Sequence, residues 1–161
     1  MGSEPDLIRR LRSFLDAAGA DYTIIAHESV LASAEDGVAE GLGRLKEMAP
    51  TLVLRTKIGY LTAIIGGERR IVYKKVKKAL GLRDVSLAAP EQVREVAGAE
   101  PGSISLVNPG LETILDASLL ERERVYGGTG LPGYTLHIRT ADLVRVTGAR
   151  VFDFTESKGM D

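Results

Sequence analysis

Two apolar runs near the middle of the chain are separated by a very short connection. TLVLRT (residues 51–56) and YLTAIIG (residues 60–66) have only Lys57-Ile58-Gly59 between them. Apolar runs of this length are typical of β-strands, and so short a connection containing glycine is typical of a β-hairpin. The pair therefore predicts neighbouring antiparallel strands, with Pro50 as the residue directly before the first strand.

Helical segments are mixed with further strands along the rest of the chain. Apolar residues at helical spacing predict a first helix that Ser3 and Pro5 open and Gly19 closes, and YKKVKKALG and PEQVREVAG predict short helices that end at glycines. SAEDGVAEGLGRL predicts a weaker helix, because glycine disfavours helical backbone. Several strands follow one another without a helix between them, which favours an α+β fold with a mixed sheet over a doubly wound one. We expect a single domain over residues 1–161, with 155–161 as a loose tail.

Composition excludes several classes of protein. The 161 residues carry a net charge of −1, contain no cysteine or tryptophan, and are 5% aromatic. Disulfides and thiolate chemistry are therefore excluded, and a broad stacking platform for nucleic-acid bases is not indicated. No apolar stretch approaches the ~18 residues of a membrane span, and no metal or dinucleotide motif is present. We expect a cytoplasmic protein without metal or cofactor that binds neither membrane nor DNA.

The two histidines lie in different settings. His137 falls inside the apolar strand YTLHIR, where a structural role is the simpler interpretation. His27 follows the strand DYTIIA and precedes Glu28 and Ser29. A residue at a strand end can face a pocket, so His27 is a candidate site residue, although a structural role is also open.

One segment, RRIVYKKVKKALGLR, is strongly basic and contains no acidic residue. On a helix Lys74 and Lys78 lie on one face, and Lys75 lies beside the apolar stripe. Such a face can simply be solvated, or it can contact phosphates in a salt-dependent way. We consider Lys74, Lys75 and Lys78 candidate RNA-binding residues.

Two loops are rich in glycine. EPGSISLVN contains Gly102, Ser103 and Ser105, and YGGTGLPG contains Gly128, Thr129 and Gly130. Glycine allows a backbone to approach a ligand closely and to direct N–H groups at a developing oxyanion. Glycine loops can equally be plain turns, so neither loop establishes an active site alone.

The order of these segments resembles the YbaK/prolyl-tRNA synthetase-associated domain family of aminoacyl-tRNA deacylases. The resemblance runs from about Asp21 to Phe154, and KKVKKALG followed by SLAAPEQVREVAG is its most specific part. It implies one α+β domain with a curved mixed sheet, and a pocket for the aminoacyl group of a charged tRNA. It also implies hydrolysis, by water, of the ester that joins the amino acid to the terminal ribose.

The resemblance also assigns residues. It implies catalytic roles for Thr51, Gly102, Ser105 and Gly128, and substrate-binding roles for His27, Pro50, Asp116, Thr129 and Gly130. The family carries a lysine at the position of Pro50, and proline offers no hydrogen-bond donor. The family also has a proline at the position of Leu106. Asp116 lies in DASLL, where it could instead cap the following turn.

The loss of that lysine leaves three interpretations open. The chain is a deacylase of mischarged tRNA acting in trans, a module that binds the tRNA acceptor end without efficient hydrolysis, or the same fold used for another ligand. Lys46, Lys74 and Lys75 are candidates to replace the cation. Lys57 is excluded because it lies at the far end of the strand, over ~20 Å from Pro50. The tRNA acceptor end is the expected partner, and an aminoacyl-tRNA synthetase is a candidate second partner.

Overall fold

The computed structural model describes residues 4–159, and within this range it has five helices and ten strands. The predicted role of Ser3 at the first helix, and residues 160–161 of the predicted tail, lie outside the described residues. The helices are α1 (Asp6–Ala17), α2 (Ala34–Ala39), α3 (Tyr73–Leu80), α4 (Pro90–Ala97) and α5 (Thr140–Thr147). The strands are β1 (Tyr22–Ala26), β2 (Thr51–Thr56), β3 (Gly59–Ile64), β4 (Arg69–Ile71), β5 (Val85–Leu87), β6 (Glu112–Asp116), β7 (Arg124–Gly128), β8 (Tyr134–Arg139), β9 (Arg150–Phe152) and β10 (Thr155–Ser157).

The central sheet has five strands in the order β5-β2-β3-β6-β9. The predicted hairpin is confirmed, because β2 and β3 pair antiparallel from Thr51 opposite Ile64 to Thr56 opposite Gly59. β5 adds to β2 antiparallel, whereas β6 lies parallel to β3 and β9 lies parallel to β6. The α+β class with a mixed sheet is therefore confirmed.

Both faces of the central sheet are covered. Because successive side chains of a strand point to opposite faces, Ala63 and Ile114 pack in one hydrophobic cluster while Ile64 and Leu115 pack in another. Val76 of α3 belongs to the first cluster. The second cluster includes buried residues of α1 and α5: Leu11, Leu15 and Leu143. The helices thus supply the apolar cover that each face of the sheet requires.

The remaining strands form two smaller sheets. β1, β8 and β7 make a three-stranded antiparallel sheet. It connects to the neighbouring segments through isolated parallel bridges between Met48 and Tyr126 and between Ser105 and Gly128. β4 and β10 form a two-stranded ribbon. The expected single sheet is therefore divided, with its smaller parts enclosing the start of β2.

The prediction of a loose tail over residues 155–161 is wrong for its first part. Thr155–Ser157 pair with β4 as strand β10, and Thr155 is buried. The tail is held because Phe154, just before it, is fully buried against the sheet. The tail has no apolar pattern of its own, so its sequence carries no signal for the burial of Phe154 and the hydrogen bond from Phe154 N–H to Asp116 that hold it in place.

Glycine correctly predicts the ends of α3 and α4, but the predicted segment of α2 is too long. Gly81 and Gly98 follow α3 and α4 with left-handed backbone, as the sequence predicts. α2 is shorter than its predicted segment and ends at Ala39, and a 3₁₀ turn at Leu45–Glu47 follows.

Within residues 4–159, no helix combines the length and the apolar character that crossing a bilayer requires.

The carboxylate of Asp116, at the end of β6, links the central sheet to the C-terminal segment. It accepts hydrogen bonds from the backbone N–H of Phe154 (2.9 Å) and from the backbone N–H and hydroxyl of Ser118. Its Oδ2 also lies 3.7 Å from Nε of Arg69. Burial alone would raise the pKa of Asp116, but the hydrogen bonds from Ser118 and Phe154 outweigh it and lower that pKa.

We therefore expect Asp116→Asn to lower the free energy of unfolding at pH 7 by about 1–3 kcal/mol. Because the folded-state pKa is depressed, the contribution of Asp116 is present above about pH 4 and is lost as the pH falls through the lower folded-state value. The difference between variant and parent, measured by urea denaturation, should shrink below pH 4. Asp153→Asn is the control, since Asp153 pairs with Lys75 at an exposed site, and equal losses in both variants would contradict this role.

Candidate active site

A cavity of about 610 Å³ lies at the N-terminal end of β2, between the β4–β10 ribbon and the two glycine loops. Its wall is mainly apolar and includes Met48, Leu52, Ile65 and Ile104. Clefts of this size and character are usual small-molecule sites. Five of the residues singled out from the sequence line it: His27, Pro50, Thr51, Gly102 and Gly128.

The hydroxyl of Thr51 is the most informative atom of this cavity. Thr51 is 5% exposed, and its Oγ1 has no hydrogen-bond partner among the described residues. A buried hydroxyl without a partner costs free energy, so native proteins rarely retain one without a reason. Within residues 4–159, Thr140 has an equally buried and unpartnered hydroxyl, but of the two only Thr51 lines the cavity. A turn of the Thr51 side chain would bring its hydroxyl, whose oxygen is buried as it stands, to a bound molecule.

Pro50 lines the cavity next to Thr51 but offers only a carbonyl, which accepts the N–H of Ile65 at 3.1 Å. The lysines that were candidates to replace a cation there lie elsewhere. Lys46 is exposed on the 3₁₀ turn, and Lys75 pairs with Asp153 at 3.2 Å. Lys57 pairs with Asp84 at the opposite end of the hairpin. That Pro50 stands at the position of a motif lysine stays a prediction.

The two glycines on the wall are required by packing. A Cβ at Gly102 would lie 2.6 Å from the carbonyl oxygen of Ala32, and a Cβ at Gly128 would collide with the carbonyl oxygen of Ile104. Only glycine therefore allows these backbones to close the wall. Their direct role at a developing oxyanion stays a prediction.

His27 is held in one orientation at the edge of the cavity. Its Nδ1 lies 2.6 Å from the carbonyl oxygen of Ser29 and therefore carries a proton, since a carbonyl can only accept. Its Nε2 lies 2.8 Å from Oγ1 of Thr135, another cavity residue. In the neutral ring Nε2 accepts the Thr135 proton, so His27 orients that hydroxyl at the wall.

Three predicted site residues lie behind the wall instead of on it. Ser105, Thr129 and Gly130 line a second cavity of about 410 Å³ beside α1 and α4. The Ser105 hydroxyl accepts the N–H of Val107 (3.1 Å), and the buried Thr129 hydroxyl bonds to backbone within its own loop. These two hydroxyls organise their turns, and none of the three residues lines the main cavity. Their contact with substrate stays a prediction.

Asp116 is also not among the residues that line the main cavity. Its oxygens are occupied by Ser118, by the N–H of Phe154 and by the nearby Arg69. With 1% exposure, it binds the protein's own chain in this structure, and its contact with substrate stays a prediction. The alternative derived from the sequence, in which Asp116 caps the following turn, agrees with this geometry.

The charged groups of the cavity were missed by sequence reasoning. Arg69, Arg70 and Lys158 line it together with Glu35. Arg69 and Arg70 belong to the basic segment noted in the sequence, but Lys158 lies in the segment predicted to be loose. No local signal identifies Lys158, because its place depends on the pairing of β10 with β4.

An aromatic pair supports the opposite side of the cavity. Tyr126 lines it and stacks on His137, with ring centroids 3.9 Å apart and nearly parallel planes. Burial, aided by the positive charge of Arg124, lowers the pKa of His137. His137 is therefore held neutral and packs as an aromatic ring, in agreement with the structural interpretation.

Within residues 4–159, no cluster of three His, Asp or Glu side chains could hold a metal ion.

The basic helix begins at the rim of the cavity. Tyr73, the first residue of α3, lines the cavity, and Lys74 and Lys78 project to solvent on the same helix. Lys75 is exposed as well but pairs with Asp153. The contact of these lysines with RNA stays a prediction.

Comparison with known proteins agrees with this geometry. Residues 27–146 match the model of the aminoacyl-tRNA editing domain family. The chain is similar to the multifunctional Ser/Thr-tRNA deacylase ProXp-y of Escherichia coli K12, with 27% identity over 91% of each chain. It is also similar to the proline–tRNA ligase of Heliobacterium modesticaldum, with 32% identity over 55% of this chain and 16% of the ligase.

A solved structure shows the same fold. It is described as a proposed trans-editing enzyme for prolyl tRNA synthetase, and it superposes with a TM-score of 0.84 over 96% of this chain and all of that chain, at 24% identity. The chain belongs to the aminoacyl-tRNA editing domain family. The resemblance read from its motifs is thereby confirmed.

Two buried threonines provide a test of the cavity. Thr155 Oγ1 accepts a hydrogen bond from Nε of Arg69 at 2.6 Å, whereas Thr51 Oγ1 has no hydrogen-bond partner within residues 4–159. Without ligand, we expect Thr155→Val to lower the free energy of unfolding by about 1–3 kcal/mol because the partly buried, charged Arg69 loses an acceptor. Thr51→Val should change it by less than ~1 kcal/mol or stabilise the fold.

Urea denaturation of both variants measures this difference, and each serves as the other's control because the same atoms are exchanged at two buried sites. A loss in Thr51→Val as large as that in Thr155→Val would show that the Thr51 hydroxyl is satisfied within the protein.

Proposed function

We propose that this chain hydrolyses, in trans, the ester between a mischarged amino acid and its tRNA. The observation that carries the proposal is the buried, unpartnered hydroxyl of Thr51 in the mainly apolar cavity of a chain from the aminoacyl-tRNA editing domain family. An aminoacyl ester offers a carbonyl and an amino group that such a hydroxyl can bind.

The reaction requires little of the protein. Water adds to the ester carbonyl carbon, and the bond from that carbon to the ribose oxygen breaks. One proton of the water passes to the released ribose oxygen, which becomes a hydroxyl, the other is lost to solvent, and the amino acid leaves as a carboxylate. Thr51 would hold the substrate near its carbonyl, His27 would orient the Thr135 hydroxyl, and the apolar wall would exclude other water.

The charge around the cavity suits a nucleic-acid end. Arg69 and Arg70 line the cavity. Lys74 and Lys78 lie on α3, which begins at the rim of the cavity. The chain as a whole has a net charge of −1, so this local basic surface is where phosphates would be attracted. In the proposal the acceptor end enters the cavity while the preceding phosphates lie along α3.

The names of relatives suggest which substrates to try. The similar Escherichia coli protein is named a Ser/Thr-tRNA deacylase, and another relative is a proline–tRNA ligase. We therefore propose small mischarged amino acids as substrates and a prolyl-tRNA synthetase as a candidate partner.

A second candidate function follows from Pro50. Because Pro50 provides neither a charge nor an N–H at the cavity, the chain could bind the aminoacyl end without hydrolysing it efficiently. The same substrate panel separates the two functions.

We expect the purified protein to release amino acid from tRNA mischarged with serine, threonine, alanine or cysteine faster than buffer does. Release of labelled amino acid under single-turnover conditions measures this rate. Thr51→Val should lower the rate by about 10- to 100-fold through loss of one substrate hydrogen bond. Tight binding of these tRNAs with no release would favour the binding function, and neither binding nor release would contradict both.

The basic helix gives a separate prediction. We expect the double variant Lys74→Glu/Lys78→Glu to weaken tRNA binding and to flatten its salt dependence, because each lost phosphate contact lowers the slope by about 1. Filter binding over a range of salt concentrations measures both. Arg55→Glu/Lys57→Glu is the matched control, since it makes the same charge change on exposed residues at the far end of the hairpin. Equal effects in the two double variants would contradict a specific contact by α3.

A further inference from the structure

The cavity has three cationic side chains, and they differ in how firmly the protein holds them. Arg69 donates from Nε to the Thr155 hydroxyl (2.6 Å) and from Nη2 to the Thr155 carbonyl (3.2 Å). Arg70 donates from Nε to Glu156 at 2.8 Å. Arg69 is thus tied to the β4–β10 ribbon, whereas the Arg70–Glu156 pair is exposed and holds Arg70 less firmly.

Lys158 is held more loosely. Its Nζ donates to the carbonyl of Gly67 at 2.9 Å and lies 3.5 Å from Oε2 of Glu35. The contact with Glu35 is long and its carboxylate is 60% exposed, so it contributes little. An ammonium has three donors. At least one N–H of Lys158 therefore remains for a molecule in the cavity.

The position of Lys158 follows from the register of the hairpin end. The N–H of Ile65 bonds to the carbonyl of Pro50, and the N–H of Gly67 bonds to the carbonyl of Met48. Gly67 therefore lies opposite Met48. Met48 is two residues before Pro50, which is about 7 Å along an extended chain. The lysine side chain has a flexible four-carbon stem, so its ammonium can move from Gly67 to the space beside Pro50 and Thr51.

A backbone hydrogen bond places Lys158 at this end of the cavity. Its N–H donates to the carbonyl of Glu68 at 3.0 Å, which continues the pairing of β10 with β4. Of the lysines in residues 4–159, it is the one that lines the cavity. The chain thus supplies from its C-terminal segment the ammonium that the start of β2 does not provide.

We propose that Lys158 leaves the Gly67 carbonyl when substrate binds and donates a hydrogen bond to the carbonyl oxygen of the aminoacyl ester. This inference rests on the proposed deacylase function and assigns the group that stabilises its transition state. As water adds to the carbonyl carbon, negative charge develops on that oxygen, and an adjacent ammonium stabilises it. Lys158 transfers no proton; the bond changes remain those of ester hydrolysis by water.

The test compares Lys158→Met, which keeps the length of the stem, with Lys158→Arg, which keeps the charge. We expect Lys158→Met to lower the single-turnover rate on mischarged tRNA by roughly 10²-fold, and Lys158→Arg to recover a substantial part of it. Lys57→Met is the matched control, since Lys57 is an exposed lysine at the other end of the hairpin. It should keep the parent rate within about twofold.

A purely structural role for Lys158 predicts a different pattern. If Lys158 only tethers the C-terminal segment, the rate should fall together with the midpoint of thermal unfolding, and Lys158→Gln, which can still donate to Gly67, should restore both. We expect instead that Lys158→Gln stays impaired at an unchanged midpoint. A rate in Lys158→Met within about twofold of the parent, or restoration by Lys158→Gln, would overturn the proposal.

Binding of an amide-linked, non-hydrolysable seryl-adenosine analogue separates this inference from the proposed function. The parent should bind the analogue about tenfold more tightly than Lys158→Met, since a charge-assisted hydrogen bond is lost. If the parent binds in this way but releases no amino acid, the deacylase function fails and Lys158 stands as a substrate-binding residue. Equal affinity of the parent and Lys158→Met for the analogue would overturn the role of Lys158 whether or not hydrolysis occurs.

Discussion

The carboxylate of Asp116 connects the parts of this protein that build its cavity. It is buried at the end of a central parallel strand, where it accepts the N–H of Phe154 and lies beside the guanidinium of Arg69. Arg69 belongs to β4 and Phe154 directly precedes β10. This one buried charge therefore helps to fix where the C-terminal segment lies. A buried carboxylate is retained only when its hydrogen bonds compensate its desolvation, and here they do so by fixing the wall of the site.

The cavity combines rigid walls with one adaptable charge. Gly102 and Gly128 let neighbouring backbones approach closely, and His27 fixes the Thr135 hydroxyl, so the wall is largely formed before a substrate arrives. The Thr51 hydroxyl lacks a partner within the described residues, and Lys158 is held by a single short hydrogen bond to backbone. Such an arrangement suits a reaction in which new negative charge must be met at the moment it develops.

Five of the nine site residues that the resemblance implies line the main cavity, and four do not. His27, Pro50, Thr51, Gly102 and Gly128 lie at strand ends or in loops whose position follows from the family resemblance. Ser105, Thr129, Gly130 and Asp116 lie in the same motifs, but a motif does not say which side of a loop faces the cavity. One residue along a strand reverses the direction of a side chain, and hydroxyls and carboxylates near turns often bind their own backbone.

The sequence by itself determined the hairpin of β2 and β3, the glycine-ended helices α3 and α4, the α+β class and the editing-domain family, because periodicity, turn residues and motif order are local properties. Only the tertiary structure decided that residues 155–157 form a strand and that Lys158 lies in the cavity, since these depend on contacts between segments far apart in the chain. For the same reason Pro50 alone could not define the chemistry: the one lysine that lines the cavity within residues 4–159 comes from the C-terminal segment.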